Sequence, residues 1–332
     1  MISKETTIVI HYLNNYMSRK LTLFIICFIA LLPFRGWAQN KPAFKIVPLG
    51  VKGGIDESNL SAYMVAVSGT NDYICFDAGT LHTGIEKAIS NKVFNIPAEQ
   101  VLRRYIKGYF ISHAHLDHIA GLIINSPDDT NKTIYALAST IETVKTHYFT
   151  WESWGNFTDQ GAGVQTKKYH YETLKPDSMI NIKNTTMQVK AFPLAHSNLT
   201  STAFLVNNND DYILYLGDTG SDEIEKSQNL HKLWKAIAPL VKTKKLKAIM
   251  IEVSFPDEQP DKSLFGHLTP RLLMKEMDVL AGLSGGLKGF NVICTHVKPP
   301  QKNIEKIKEQ VKAENKLGLN LIFPEQGKEL NL

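Results

Sequence analysis

Cysteine is nearly absent from this chain: three residues in 332. Cys27 falls in a leader-like stretch, which leaves Cys75 and Cys294. Both lie in apolar, strand-like runs, YICFD and FNVICTH, where a buried thiol behaves as a small hydrophobe. One pair is not a disulfide framework, so a packed core has to hold the fold. Long apolar runs are missing too. LTLFIICFIALL, Leu21 to Leu32, has 12 residues, short of the roughly 18 that a bilayer span requires. No low-complexity tract and no fixed-period repeat interrupts the chain. With 43% hydrophobic and 21% charged residues, the composition is that of a folded globular protein.

The short apolar run has a different explanation. Arg19 and Lys20 precede it, and Gly36-Trp37-Ala38 follows with small residues at the two positions a signal peptidase reads. That order is the signature of a secretory signal peptide. Phe24-Ile25-Ile26 precedes Cys27, unlike the small residues before a lipid-modified cysteine. The expectation is a signal peptide over residues 1–38, with Met17 as a possible true start. A single folded domain over 39–332 would follow, periplasmic or secreted and without a membrane anchor. Cleavage removes Lys4, Arg19, Lys20, Arg35 and Glu5, so a formal charge of +5 becomes about +2. No global charge bias toward a nucleic acid polymer remains.

Strand-like stretches rich in β-branched and aromatic residues fill the rest: FKIVPLG, AYMVAVSG, YICFDAG, GYFIS, TIYALA, MQVKAFPL, TAFLV, YILYLGD, KAIMIEVSF and FNVICTH. Helical patterns fall at 84–90, 119–125, 140–149, 230–241, 270–280 and 303–315. Hairpins mixed with strand–helix alternation predict an α+β fold, two mixed sheets with helices on their outer faces. Several strands run straight into a polar side chain: Asp77, His113, His196, Asp218 and His296. Strand ends are rigid platforms on which such groups can converge.

HAHLDH places His113, His115, Asp117 and His118 within six positions in a chain that has only 11 histidines. On an extended segment His113 and His115 share a face. Asp117 and His118 then open a helix and turn toward a neighbouring position. Imidazole nitrogen with some carboxylate suits a divalent ion of intermediate softness. His196, Asp218 and His296 complete a set large enough for two ions about 3.5–4 Å apart that share one carboxylate.

The order His113-x-His115-x-Asp117-His118, His196, Asp218, His296 resembles the metallo-β-lactamase superfamily, whose αββα sandwich fits the pattern above. HAHLDHIAGLIINSP, with Leu116 and the trailing Ser126-Pro127, resembles the signature of class II cyclic-nucleotide phosphodiesterases. LGVKGGIDESNLSAY, GDTG, EVSF and LFGHLTP are similar to the same family. The resemblance implies hydrolysis of 3′,5′-cAMP or cGMP to the 5′-monophosphate by a hydroxide shared between two metal ions, zinc with manganese or iron as alternatives. It puts His113, His115 and His196 on one ion, Asp117, His118 and His296 on the other, and Asp218 between them. It also implies His267 as general acid, Glu252 as its orienting partner, and Asp77 as a carboxylate behind a metal-bound histidine. Two hydrolase alternatives stand beside this. An RNA 3′-processing nuclease would need a basic arm that the chain lacks. A lactone or thioester hydrolase would not be expected to carry EVSF with GHLTP. FTWESWGNF, Phe149 to Phe157, is either an aromatic lid or a packing cluster.

Protein recovered from the periplasmic or extracellular fraction should begin at Gln39 by N-terminal mass analysis. Recovery in membranes with Leu21 to Leu32 retained would overturn the leader assignment.

Overall fold

The computed structural model describes residues 42–332, together with Ile8, His11, Tyr12 and residues 15–17. The apolar run Leu21–Leu32 and the cleavage position at Ala38 lie outside the described residues. Pro42–Leu332 forms one compact unit. Among the described residues no helix is long and apolar enough to cross a membrane.

Strands β1 (Phe44–Gly50), β2 (Ala62–Val67), β3 (Tyr73–Phe76), β4 (Ile106–Phe110), β5 (Lys132–Ala136) and β6 (Tyr169–Thr173) form one sheet. The second holds β7 (Met179–Asn181), β8 (Gln188–His196), β9 (Leu199–Asn208), β10 (Asp211–Leu216), β11 (Leu246–Glu252), β12 (Asn291–Thr295) and β13 (Asn320–Ile322). The C-terminal β14 (Leu330–Asn331) returns to the outside of β1. Read across each sheet, the pairings follow one pattern. From β14 to β6, three antiparallel pairs are followed by three parallel ones. From β7 to β13 the same succession recurs.

Both faces of each sheet are covered, so the central strands are apolar almost without alternation. In β3, Ile74 and Phe76 point into the layer between the sheets, while Tyr73 and Cys75 face the outer helices. The inner layer is largely aromatic: Phe76 stacks on Tyr215 at 4.9 Å and on Phe204 at 6.0 Å, and Phe110 on Tyr135 at 4.5 Å. Helices α1 (His82–Ser90) and α2 (Leu116–Asn125) cover the first sheet, as does α3 (Ala138–Thr143). Against the second sheet lie α4 (Asn229–Lys242), α5 (Pro270–Ser284) and α6 (Gln301–Ala313), with Trp234 fully buried among their leucines. The αββα sandwich is therefore present. Cys75 and Cys294 are free, buried thiols.

Helix α2 begins at Leu116, three residues earlier than its apolar periodicity indicates, because the first turn carries Asp117 and His118 instead of core residues. A carboxylate there also suits the positive end of the helix. The turn after β3 holds this helix end. Ala78 donates to His118 O and Gly79 to Ser61 O, while Gly121 and Leu122 donate back to Gly79 O and Ala78 O. The approach is close enough that a Cβ on Gly79 would lie 2.1 Å from Asp117 O. Gly79→Ala should therefore destabilise the fold by about 1–3 kcal/mol, as overpacking does, and weaken zinc affinity along with it. Urea unfolding and a chelator competition read both. Unchanged zinc affinity would mean that this turn does not set the position of Asp117.

Candidate metal centre

Asp218, fully buried at the end of the turn after β10, has one carboxylate oxygen ringed by imidazoles. Its Oδ2 lies 3.2 Å from His118 Nε2, 3.3 Å from His296 Nε2, 3.7 Å from His113 Nε2 and 3.8 Å from His196 Nε2. His115, exposed, presents Nδ1 at 3.0 Å from His113 Nε2. Asp117 Oδ2 sits 3.2 Å from His296 Nε2 and accepts the Gly54 N–H at 2.8 Å. The donor atoms gather into two main groups within ion-holding distance: His113, His115, His196 and Asp218, and Asp117, His118 and His296. All seven expected ligand positions converge.

The hydrogen bonds on the far side of each ring fix its tautomer. The carbonyl of Gly266 accepts from His196 Nδ1 at 2.8 Å. Asp77 Oδ2 accepts from His118 Nδ1 at 2.7 Å. The Ser112 hydroxyl donates to Asp77, so toward His113 Nδ1, 3.0 Å away, it accepts. The Ser254 hydroxyl donates to Glu252 and accepts from His296 Nδ1 at 2.9 Å. All four histidines thus turn Nε2 toward Asp218. Such outer partners are what orient metal-bound imidazoles, and this donor set fits a divalent cation.

Electrostatics agrees. Burial and the charge of His118 hold His113 well below the ordinary imidazole range. Burial pushes His196 down to about 4. Burial also opposes charge on Asp218, but His118, His296 and His267 overcome it and hold the carboxyl well below its usual range. Burial opposes charge on His118 as well, but Asp218, Asp77 and Asp117 overcome it and raise its proton affinity well above the ordinary imidazole range. A metal ion would take the place of that proton, since only the neutral ring is a ligand.

Asp77 is placed behind the donors, not among them. Besides His118 it accepts from Ser112 N at 2.7 Å, Ser112 Oγ at 2.9 Å and Tyr215 Oη at 2.6 Å. It holds φ 51° to do so, and His296 holds φ 53°, left-handed conformations that cost a non-glycine residue energy and persist because surrounding contacts fix them. Glu252 accepts His267 Nδ1 at 2.7 Å and the Thr219 N–H at 3.0 Å. His267 comes within reach of Asp218 and His296, but both its nitrogens are already engaged. Nδ1 faces Glu252, and Nε2 accepts from Lys298 Nζ at 2.8 Å.

The aromatic stretch divides. Phe149 is core, whereas Trp151 and Trp154 are exposed. Trp154 Nε1 donates to Ser126 Oγ at the far end of α2, about 13 Å along the helix from Asp117 at 1.5 Å per residue. It does not cover the donors. A groove of about 100 Å³ does open beside them, lined by His113, His115, Ser139, Thr143, Leu199 and Thr200. Sequence reasoning missed Ser112, Ser254, Tyr215 and Lys298. Ser254 and Lys298 each stand two residues from a site residue, the only signal that could have found them.

An αββα sandwich with this His/Asp cluster at the strand ends defines a metallo-β-lactamase-fold hydrolase. Residues 43–327 match the family described as cAMP phosphodiesterases class-II, and the chain belongs to that family. It is 44% identical over 322 residues to the 3′,5′-cyclic-nucleotide phosphodiesterase of Aliivibrio fischeri, covering 92% of this chain and 97% of that one. Identity is 38% over 302 residues to a probable 3′,5′-cyclic-nucleotide phosphodiesterase of Yersinia pestis, covering 86% and 88%. Among solved structures, unliganded yeast PDE1 superposes with a TM-score of 0.76 at 23% identity, covering 88% of this chain and 100% of the other. That last likeness speaks for the fold.

Asp77→Ala should weaken metal affinity by about 10–100-fold, the usual effect of losing an orienting partner, while saturating zinc restores turnover. Activity that excess zinc cannot recover would assign Asp77 another role.

Proposed function

We propose that this enzyme hydrolyses the 3′,5′-cyclic phosphodiester of cAMP, cGMP or both to the 5′-monophosphate. The observation that carries the reading, beside the family match, is the Glu252–His267 pair set against the Asp218 cluster. His113, His115 and His196 would hold one divalent ion and Asp117, His118 and His296 a second, with Asp218 within reach of both groups. Zinc suits the mixed imidazole and carboxylate donors, and manganese or iron are the alternatives. Bound there, two cations offset the phosphodiester charge and supply a water-derived nucleophile near neutral pH.

The chain's own residues manage the leaving group. Expelling a ribose 3′ alkoxide requires a proton, and His267 is the group in place to give it. Burial opposes a charge on this ring, yet Glu252 and Asp218 overcome burial and raise its proton affinity above the ordinary imidazole range. Glu252, held ionised by His267 against its own burial, fixes Nδ1. Nε2, the acceptor for Lys298 in the free enzyme, has to be released by that ammonium and take up a proton from solvent before it serves the departing oxygen. The Thr219 and Leu268 N–H groups and the Ser254 hydroxyl hold Glu252 in turn.

The test compares substrates. The mature protein should turn over cAMP or cGMP, and turn over 2′,3′-cyclic nucleotide and nitrocefin far more slowly. His267→Ala should lower cAMP turnover by about 10²–10⁴-fold, the usual contribution of a general acid. It should largely spare bis-p-nitrophenyl phosphate, whose nitrophenolate departs unaided. Glu252→Gln should show the same selectivity in milder form. Equal losses on both substrates at unchanged metal content would remove His267 from the general-acid role.

A further inference from the structure

The second nitrogen of His267 has a neighbour that the general-acid role leaves unused. Lys298 stands two residues beyond His296, and its backbone N–H is tied to Ser254 O at 3.2 Å. Its Nζ lies 5.2 Å from the centroid of the Phe255 ring. That same ring meets His267 edge-on at 5.7 Å. The ammonium is thereby delivered to His267 Nε2 at 2.8 Å. Among the described residues no carboxylate comes within ion-pair distance of it. Some lysines of the fold are matched, Lys52 by Asp56 and Lys275 by Glu223, and many surface lysines are not; Lys298 differs from those in standing against a buried histidine of the site. An unmatched ammonium held half-buried against a catalytic site is electrostatically unfavourable unless an anion visits it.

Geometry says which anion. With Nδ1 committed to Glu252, Nε2 is the only ring atom that can face the scissile group. A cation hydrogen-bonded to that atom lies about 3 Å from it, within reach of the substituents on the same phosphorus. During displacement at a phosphodiester, charge spreads over the equatorial oxygens, and a preplaced cation there stabilises the transition state. We propose that Lys298 is a further catalytic residue. Its ammonium leaves His267 Nε2 for a non-bridging oxygen of the bound phosphodiester and holds that oxygen through the displacement. No bond is made or broken at Lys298. Its part is a charge-assisted hydrogen bond, distinct from the proton given by His267. This rests on the phosphodiester-hydrolase reading of the same site.

The two roles separate on the substrates already named, since bis-p-nitrophenyl phosphate keeps the anionic oxygens but not the demanding leaving group. Lys298→Met should lower kcat/KM by about 10²–10³-fold, the typical loss of one such donor, and by similar factors on cAMP and on bis-p-nitrophenyl phosphate. His267→Ala should be selective for cAMP. The Ki of inorganic phosphate should rise in Lys298→Met, with metal content and melting temperature unchanged, and Lys298→Arg should restore most of both properties. Wild-type kcat/KM in Lys298→Met would overturn the proposal. So would a loss that tracks loss of metal, or an unchanged phosphate Ki. Failure of the wild-type enzyme on cAMP and cGMP would instead sink the nucleotide reading, and the bis-p-nitrophenyl phosphate arm would still decide the role of Lys298.

Discussion

A carboxylate with no access to water has to be compensated, and in this protein Asp218 sets that demand. Isolated burial of such a charge is prohibitive. Here His118, His296 and His267, at 3.2–3.8 Å, offset it, each with its other nitrogen spoken for. The requirement propagates outward through the fold. Ser112, Asp77, Gly266 and Ser254 fix the rings, and Tyr215 fixes Asp77. Tyr215 is itself stacked on Phe76, one residue before Asp77. The aromatic layer between the sheets and the polar cluster at its edge are one continuous piece of packing, so core and site cannot be perturbed independently.

Much of this was readable in the residues. The αββα layering follows from central strands that are apolar on both faces and from helices with one apolar stripe. The metal cluster was legible because chemistry compresses it: H-x-H-x-D-H has no packing rationale, and strand ends marked His196, Asp218 and His296. Short edge strands were not legible. Tyr169–Thr173 buries only alternate residues, with His170 exposed, and Met179–Asn181 and Asn320–Ile322 are three residues each, too short for a period to declare itself. The supporting hydroxyls were invisible for another reason. Tyr215 is an ordinary strand residue, Ser112 and Ser254 stand two positions past the ends of their strands, and the importance of all three lies in partners that no local pattern marks. The helix over 140–149 also proved composite, with regular turns to Thr143 and a wider-wound segment to Tyr148.

Gly53 and Gly54 illustrate how sequence and chemistry interlock at the rim. The Gly54 N–H holds Asp117 Oδ2, while a Cβ on Gly53 would fall 2.2 Å from the His296 ring. One glycine is there for a left-handed backbone, φ 83°, the other for an absence of atoms. Together they let a backbone segment pass directly over the Asp117–His296 pair, closing a side that side chains could not reach.

The repeated succession of strand pairings divides the sandwich into two halves of like plan. The first supplies His113, His115, Asp117 and His118, and the second supplies His196, Asp218 and His296. Each half also sets an aspartate in the turn after its corresponding strand, Asp77 after β3 and Asp218 after β10, one to orient and one to stand at the centre. Neither half owns a complete coordination set. A cation gripped by both is therefore a clasp across the sandwich. It binds the closed arrangement and not the parted halves, and free metal at about a hundred times its dissociation constant adds about 2.7 kcal/mol to closure. Parting the halves and surrendering the ion become linked events, so a metal-stripped enzyme would give up that increment of closure along with its chemistry.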